Sequence, residues 1–266
     1  MTARGAMAGR VAALLGALLA ATVARAEERA LFLADGADVG LFDQYDNDGY
    51  SLSVAPGAGG SVELRVRVSD SPLASAAPFP TGSPRDPALT AAGDRDAFAA
   101  EASRGAGRQV DAVSLILVAL AARVRYDPDR LRPQDPASVF ASRRADCVGL
   151  AELAVDLLRR VGISARTVQG IVRTPPAEPS YDARIGGSYH RWIEVYYPDR
   201  GCVFSDPSAS INGVDARYIP FRGRPLVRPR SLTLVFVDRS GELSYAPVPA
   251  GSALLRQRPA QSPTAP

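Results

Sequence analysis

The 266-residue chain is predicted to fold as an α+β protein, with helices followed by an antiparallel sheet and a small β-rich region in front of both. Three observations predict it. Val110 to Val124 and residues 146–161 read as successive helices. In the second, Leu150, Leu153, Ala154, Leu157, Leu158 and Val161 follow the i, i+3, i+4, i+7 spacing of a buried stripe. Strand-like runs then follow one another at 165–172, 189–197 and 202–206, an order of helices then strands that belongs to the α+β class. Upstream, Tyr50-Ser-Leu-Ser-Val54 and Ser61-Val-Glu-Leu-Arg-Val-Arg-Val68 alternate apolar and polar residues as half-buried strands do.

The elements divide the chain into regions. Arg4 and Arg10 precede an apolar run from Val11 to Val23, and Ala24-Arg25-Ala26 stands directly before Glu27 and Glu28. Basic, apolar, small-x-small is the order of a secretory signal peptide, with cleavage expected after Ala26. The 13-residue run is short of the roughly 20 residues that span a bilayer, and no other apolar run is long enough. An exported protein, periplasmic or extracellular, is therefore expected. Residues 27–108 form the β-rich N-terminal region, with a hairpin turn at 56–60 and a Pro-rich linker at 72–87. Residues 109–235 form the core domain, and 236–266 a terminal hairpin and tail. That last hairpin is expected over 231–247, turning at Arg239-Ser240-Gly241, and 256–266 has the composition of a disordered end.

Charge excludes one class of function. All 31 basic residues are arginine, against 28 acids. Three of the arginines lie in residues 1–26, so the remainder is balanced and offers no footing for nucleic acid. A run of Arg217, Arg222, Arg224, Arg228 and Arg230 reads as a solvated loop. Asp46-Asn47-Asp48-Gly49 has the look of a calcium loop, but Gln44 and Ala55 stand where its first and twelfth ligands would be, so it reads as a turn. A single histidine and two separated cysteines do not make a zinc set. No cofactor or metal is expected, and no Gly-x-Ser-x-Gly marks a serine hydrolase.

The remaining chemistry is narrow. Cys147 opens the 146–161 helix on the side of its apolar stripe, where the partial positive charge of a helix N-terminus favours thiolate over thiol. Asp146 is placed to cap that helix and Gly162 to stop it. His190 lies on a strand in which it shares a face with Trp192, Glu194 and Tyr196. The next strand ends in Asp206, followed by Pro207. Taken singly, a histidine beside a tryptophan or a cysteine on an apolar helix face reads as core. Together with an orienting carboxylate they supply nucleophile, base and orienter.

Arg144-Ala-Asp-Cys-Val-Gly-Leu-Ala-Glu-Leu153, continued by Leu157-Leu-Arg-Arg-Val-Gly-Ile163-Ser-Ala-Arg166 and Gly170, resembles the nucleophile helix of transglutaminase-like proteins. His190-x-Trp192-x-Glu194-Val-Tyr196 and Asp206-Pro207 resemble the histidine and aspartate strands of that family, and the spacings of 43 and 16 residues are similar to theirs. The resemblance covers roughly 110–210. It departs at Ala145, where the family usually has glycine, and at Cys202, where an aromatic is common. It implies a papain-like core, with the cysteine helix packed on an antiparallel sheet. It also implies a Cys147, His190, Asp206 triad acting on amide bonds of a protein or peptide substrate through an acyl-enzyme. Hydrolysis by a cysteine peptidase or amidase and amine transfer by a transglutaminase share that first half-reaction. A non-catalytic binding or assembly module on the same fold is the alternative.

Parity adds a geometric expectation. Paired antiparallel residues share a face, so His190 and Asp206, both even-numbered, demand an odd-length loop between their strands. Tyr196 opposite Arg200 or Tyr197 opposite Gly201 satisfies this. Cys202 then stands too far along the sheet from His190 to reach Cys147, so no disulfide is expected between them.

Overall fold

The computed structural model describes residues 27–69, 73–80, 93–129, 131–177, 180–223, 228–239 and 242–245. The expected signal segment and the 256–266 tail lie outside these residues, as do residues 72 and 81–87 of the Pro-rich stretch and Arg224 of the arginine run. Among the described residues no helix is long and apolar enough to cross a membrane.

Three layers position the site. The helices are α1 (Asp94–Ala102), α2 (Gln109–Arg123), α3 (Pro136–Ser142) and α4 (Cys147–Arg160). The strands are β1 (Glu27–Asp35), β2 (Tyr45–Asn47), β3 (Tyr50–Pro56), β4 (Val62–Ser69), β5 (Arg125–Tyr126), β6 (Arg144–Ala145), β7 (Ala165–Arg173), β8 (Gly187–Tyr197), β9 (Gly201–Ser205), β10 (Tyr218–Pro220), β11 (Ser231–Arg239) and β12 (Glu242–Tyr245). A four-stranded antiparallel sheet in the order β10-β7-β8-β9 forms the middle layer. Ile193, Val195, Tyr197 and Val203 on one side of it join the core of α2 and α4. Trp192, Phe204 and Val168 on the other side join Phe32, Leu52, Leu64 and Val66 of a six-stranded antiparallel sheet, ordered β12-β11-β1-β4-β3-β2. Each such buried side chain contributes about 1.5–3 kcal/mol, so these two seams hold the layers together. Polar contacts then set how they meet. Buried Glu194 accepts from Asn47 Nδ2 at 2.8 Å and pairs with Arg166, tying β2 to β8.

The expected α4 helix is capped at both ends as its sequence demands. The Asp146 carboxylate accepts from the Val148 and Gly149 N–H groups at 2.8 and 3.2 Å. At the far end Gly162 adopts φ 79°, and the Ile163 and Gly162 N–H groups donate to the carbonyls of Leu158 and Arg159, closing a Schellman motif. The expected β3–β4 hairpin is present, Pro56 pairing with Val62 across a turn in which Gly59 and Gly60 take positive φ. The Asp46–Gly49 stretch is the expected turn: Asn47 pairs with Tyr50, and Asp48-Gly49 is the two-residue loop with Gly49 at φ 79°. Of the described arginines in the 217–230 run, Arg217 pairs with Asp215, Arg222 with Asp43, and Arg228 lies over the Tyr189 ring.

β1, α1 and α3 are among the elements that the sequence does not announce. β1 buries Ala30, Phe32 and Ala34, but Leu31 and Leu33 between them mask its two-residue period. The short helices α1 and α3 carry too few apolar positions to make a stripe. β11 pairs with β12, Arg239 opposite Glu242, while Ser240 and Gly241 of the expected turn lie outside the described residues; β11 pairs with β1 as well, so the six-stranded sheet takes strands from both ends of the described chain.

Gly170 marks the tightest approach in the middle sheet. It lies between His190 on β8 and Pro220 on β10, and a Cβ there would stand 2.1 Å from the Ile219 carbonyl oxygen and 2.6 Å from the Trp192 ring. A backbone carbonyl cannot swing aside as a side-chain tip can. Gly170→Ala is therefore expected to cost about 1–3 kcal/mol, the usual range for overpacking, read as a lower urea midpoint. A midpoint equal to that of the wild type would show that β7 and β10 part freely.

Candidate active site

Cys147 occupies the first position of α4, and the chain before it is built to hold it there. β6 pairs in parallel with β5, and Gln134 Oε1 accepts from the Asp146 N–H at 3.2 Å. Gly149 lets this segment press on the first helical turn. A Cβ there would meet Gln134 Oε1 at 2.2 Å, Val139 at 2.8 Å and the Ala145 methyl at 2.9 Å. Ala145, one of the departures noted above, is accordingly fully buried against a residue that has no side chain.

The β8–β9 hairpin settles the parity argument. Tyr197 pairs with Gly201 across the three-residue loop Pro198-Asp199-Arg200, and the register runs without a bulge to Ile193 opposite Ser205. Asp206, the next residue, comes level with Trp192, which makes His190 its diagonal neighbour on the same face. His190 Nε2 stands 2.6 Å from Asp206 Oδ2, and Cys147 lies near enough to the same imidazole to favour its charged form. The three residues singled out from the sequence are thus brought together. With Nε2 taken by Asp206, Nδ1 is the nitrogen left for the sulfur. Arg191, beside His190, bonds Glu152 of α4 at 2.9 Å and holds helix against strand. Cys147 and Cys202 are both free thiols, and Cys202 stands opposite Tyr196.

Asp206 is the most enclosed member, 1% exposed. Its Oδ1 accepts from the Ser208 N–H at 2.8 Å and the Ser208 hydroxyl at 2.6 Å, and its Oδ2 accepts from the Tyr218 hydroxyl at 2.7 Å. Neither residue stands in the motifs that single out the triad. Ser208 carried a signal, since an Asp two residues before such a donor is the pattern of an Asx turn. Tyr218 carried none, because it belongs to no motif and reaches Asp206 only through the pairing of β10 with β7.

The electrostatics follow from these contacts. Burial works against a charged imidazole at His190. The hydrogen bonds and charges of Asp206 and Cys147 outweigh it and lift the His190 pKa from 6.5 to about 10. Burial likewise opposes the Asp206 carboxylate, but His190, Ser208 and Tyr218 together hold it below the usual carboxylate range. The Tyr218 phenol is pushed up by burial and by the charge of Asp206, so it stays a donor. Burial, with Glu194 beside it, pushes the Cys202 thiol up.

A cavity of about 120 Å³, with Tyr50, Arg200, Phe204 and Asn212 in its wall, is lined by none of Cys147, His190 and Asp206. Among the described residues no group of three or more His, Cys, Asp or Glu is placed to hold a metal ion.

The pairing carries a pH dependence of defined sign. Because the folded state raises the His190 pKa from 6.5 to about 10, its contribution to stability is fully present below about pH 6.5 and lost as pH rises through about 10. Asp206, held low, contributes stability above its ordinary value that is lost only as pH falls through its depressed one. The unfolding free energy of the wild type relative to His190→Gln should therefore shrink between pH 7 and pH 10 in urea titrations. A difference that grew over that interval would mean that the imidazole is buried neutral.

No curated protein matches the chain. A solved structure of a protein from Cytophaga hutchinsonii, described as a candidate cysteine protease, is similar at 12% identity and a TM-score of 0.41, over 84% of this chain and 92% of that one. The periplasmic domain of TgpA from Pseudomonas aeruginosa is similar at 16% identity and a TM-score of 0.36, over 69% and 87%. A protein described as a TGase is similar at 15% identity and a TM-score of 0.35, over 67% and 48%. The assignment rests instead on the sequence of the core. Residues 96–207, which run from α1 to the residue after Asp206, match the model of the transglutaminase-like superfamily, and they form a domain of that superfamily.

Proposed function

We propose that the protein is an exported thiol enzyme that cleaves amide bonds through a Cys147 acyl-enzyme, with His190 as base and Asp206 as orienter. The observation that carries the reading is the His190–Asp206 pair at 2.6 Å with Cys147, the first residue of a helix, beside the imidazole. A thiol joined to an imidazole whose charged form is favoured reacts as a thiolate–imidazolium pair. The sulfur attacks the carbonyl carbon and the carbonyl electrons move to oxygen. His190 then gives its proton to the departing amine as the C–N bond breaks. Water, deprotonated by the now neutral imidazole, attacks the thioester and releases the acid and the thiolate. An amine in place of water would complete a transglutaminase reaction. Hydrolysis is favoured, because water is abundant outside the cell and the sequence offers no dedicated amine site.

One detail of the helix start supports this use. Asp146 engages the N–H groups of Val148 and Gly149 but not that of Cys147, which leaves the Cys147 N–H as the donor for the developing oxyanion. Export rests on the order of residues 1–26, and N-terminal sequencing of the secreted protein should begin at Glu27.

Cys147→Ala should lower turnover of peptide or cell-wall amide substrates by on the order of 10³-fold or more without loss of fold. His190→Ala should be nearly as damaging. Asp206→Asn should retain more activity, since the base remains. Iodoacetamide at pH 6 should label Cys147 rapidly and Cys202 slowly, and the difference should vanish in His190→Ala. A Cys147 that stays silent to the reagent would favour a binding module instead, and a fully active Cys147→Ala would show that Cys147 is not the nucleophile.

A further inference from the structure

We propose that Tyr218 is the positioning residue of this site, its phenol fixing the carboxylate of Asp206 and, through it, the ring of His190. Its consequence for turnover rests on the thiol-enzyme reading above.

The geometry carries the proposal. Tyr218 donates to Oδ2 at 2.7 Å, the same oxygen that faces His190 Nε2 at 2.6 Å. Among the described residues Oδ1 is served by Ser208 alone, through its N–H and its hydroxyl. Ser208 belongs to the turn that carries Asp206, so it moves with that turn and cannot register the carboxylate against the sheet. Tyr218 can, because it comes from β10 on the far side of β7 and β8. The phenol itself has little freedom. Its ring meets the Trp192 indole edge-on at 5.3 Å and the His190 ring at 6.1 Å, and its residue is buried. Its backbone carbonyl accepts the Tyr50 hydroxyl at 2.7 Å. That bond pins β10 to β3, so a strand of the N-terminal sheet sets where the donor to Asp206 stands. A phenol also suits the task chemically. It donates one hydrogen bond without adding a positive charge that would compete with the imidazolium for the carboxylate. Burial and the Asp206 charge keep it protonated across the working range.

Tyr218→Phe removes one oxygen and keeps the ring packing. Oδ2 then holds a single donor, and the carboxylate can turn about its own axis. Two consequences separate this from a phenol that merely fills space. The His190 Nε2–H should lose protection, and Asp206 should titrate at higher pH, since a bond that favoured its charged form is gone.

His190 is the only histidine in the chain, so imidazole NMR signals report on the site without ambiguity. The wild type is expected to give a downfield, slowly exchanging Nε2–H and an acid-side inflection in the His190 C2–H shift from protonation of Asp206. In Tyr218→Phe the Nε2–H should exchange several-fold faster and the inflection should move to higher pH. With substrate, kcat should fall roughly tenfold or more, as for loss of one hydrogen bond to a charged group, with KM little changed. Should Tyr218→Phe not fold, Tyr50→Phe takes its place, with smaller displacements in the same direction. If neither the exchange nor the inflection moves, the proposal is overturned, whatever the activity. If both move while every variant, wild type included, is inert, the positioning stands and the thiol-enzyme reading falls.

Discussion

A carboxylate with almost no access to water has to be neutralised and hydrogen-bonded, because an unpaired buried charge costs several kcal/mol. Asp206 is such a group, and much of the architecture around it reads as the means of meeting that demand. Its donors come from three places: the turn that follows it, strand β8 and strand β10. None of the three is adjustable alone. The turn is set by Ser208, and by the Asp206 N–H donating to the Ser210 carbonyl. The β8 donor depends on a hairpin loop of odd length. The β10 donor depends on a strand that pairs with neither β8 nor β9 but reaches them across the face of β7. A shift of one residue in any of these pairings would turn a donor to the other side of the sheet.

The same demand explains why the middle sheet is covered on both faces. On the helix side, α4 brings its first residue, Cys147, to the imidazole. The Arg191–Glu152 ion pair and the buried stripe of α4 fix that helix along β8. On the opposite side, the six-stranded sheet does more than cover apolar surface. Tyr50 reaches the backbone of β10, and Asn47 reaches buried Glu194 on β8. Both contacts are polar groups taken out of water, and each is satisfied only if the two sheets meet in one register. The apolar seam supplies the larger stabilisation and these hydrogen bonds supply the alignment.

Glycine serves the site at two positions for the same reason, which is closeness. Gly149 lets the segment at Gln134 and Ala145 lie on the first turn of α4, and Gly170 lets β10 and the Trp192 indole approach across β7. Both stood inside the stretches that carry the family resemblance, but their steric meaning depends on atoms from elsewhere in the chain.

What the sequence by itself determined is what can be read along a short length of chain. The period of α4, its Asp146 cap and Gly162 stop are local, since each involves residues within a turn or two of one another. The odd loop between β8 and β9 is nearly as local, because faces alternate with every residue and a hairpin carries that parity across its turn. Those two facts, with the residue types at 147, 190 and 206, were enough to pick out three groups that the fold brings together. Other features were decided only in three dimensions. β1 hides its alternation behind Leu31 and Leu33, and it takes β11 as a partner about 200 residues away. Tyr218 has no motif, and its role exists because β10 docks on β7 and a tyrosine from β3 pins it there. Pairings of that kind are chosen by which faces can be buried together, and a sequence states the faces without stating their partners.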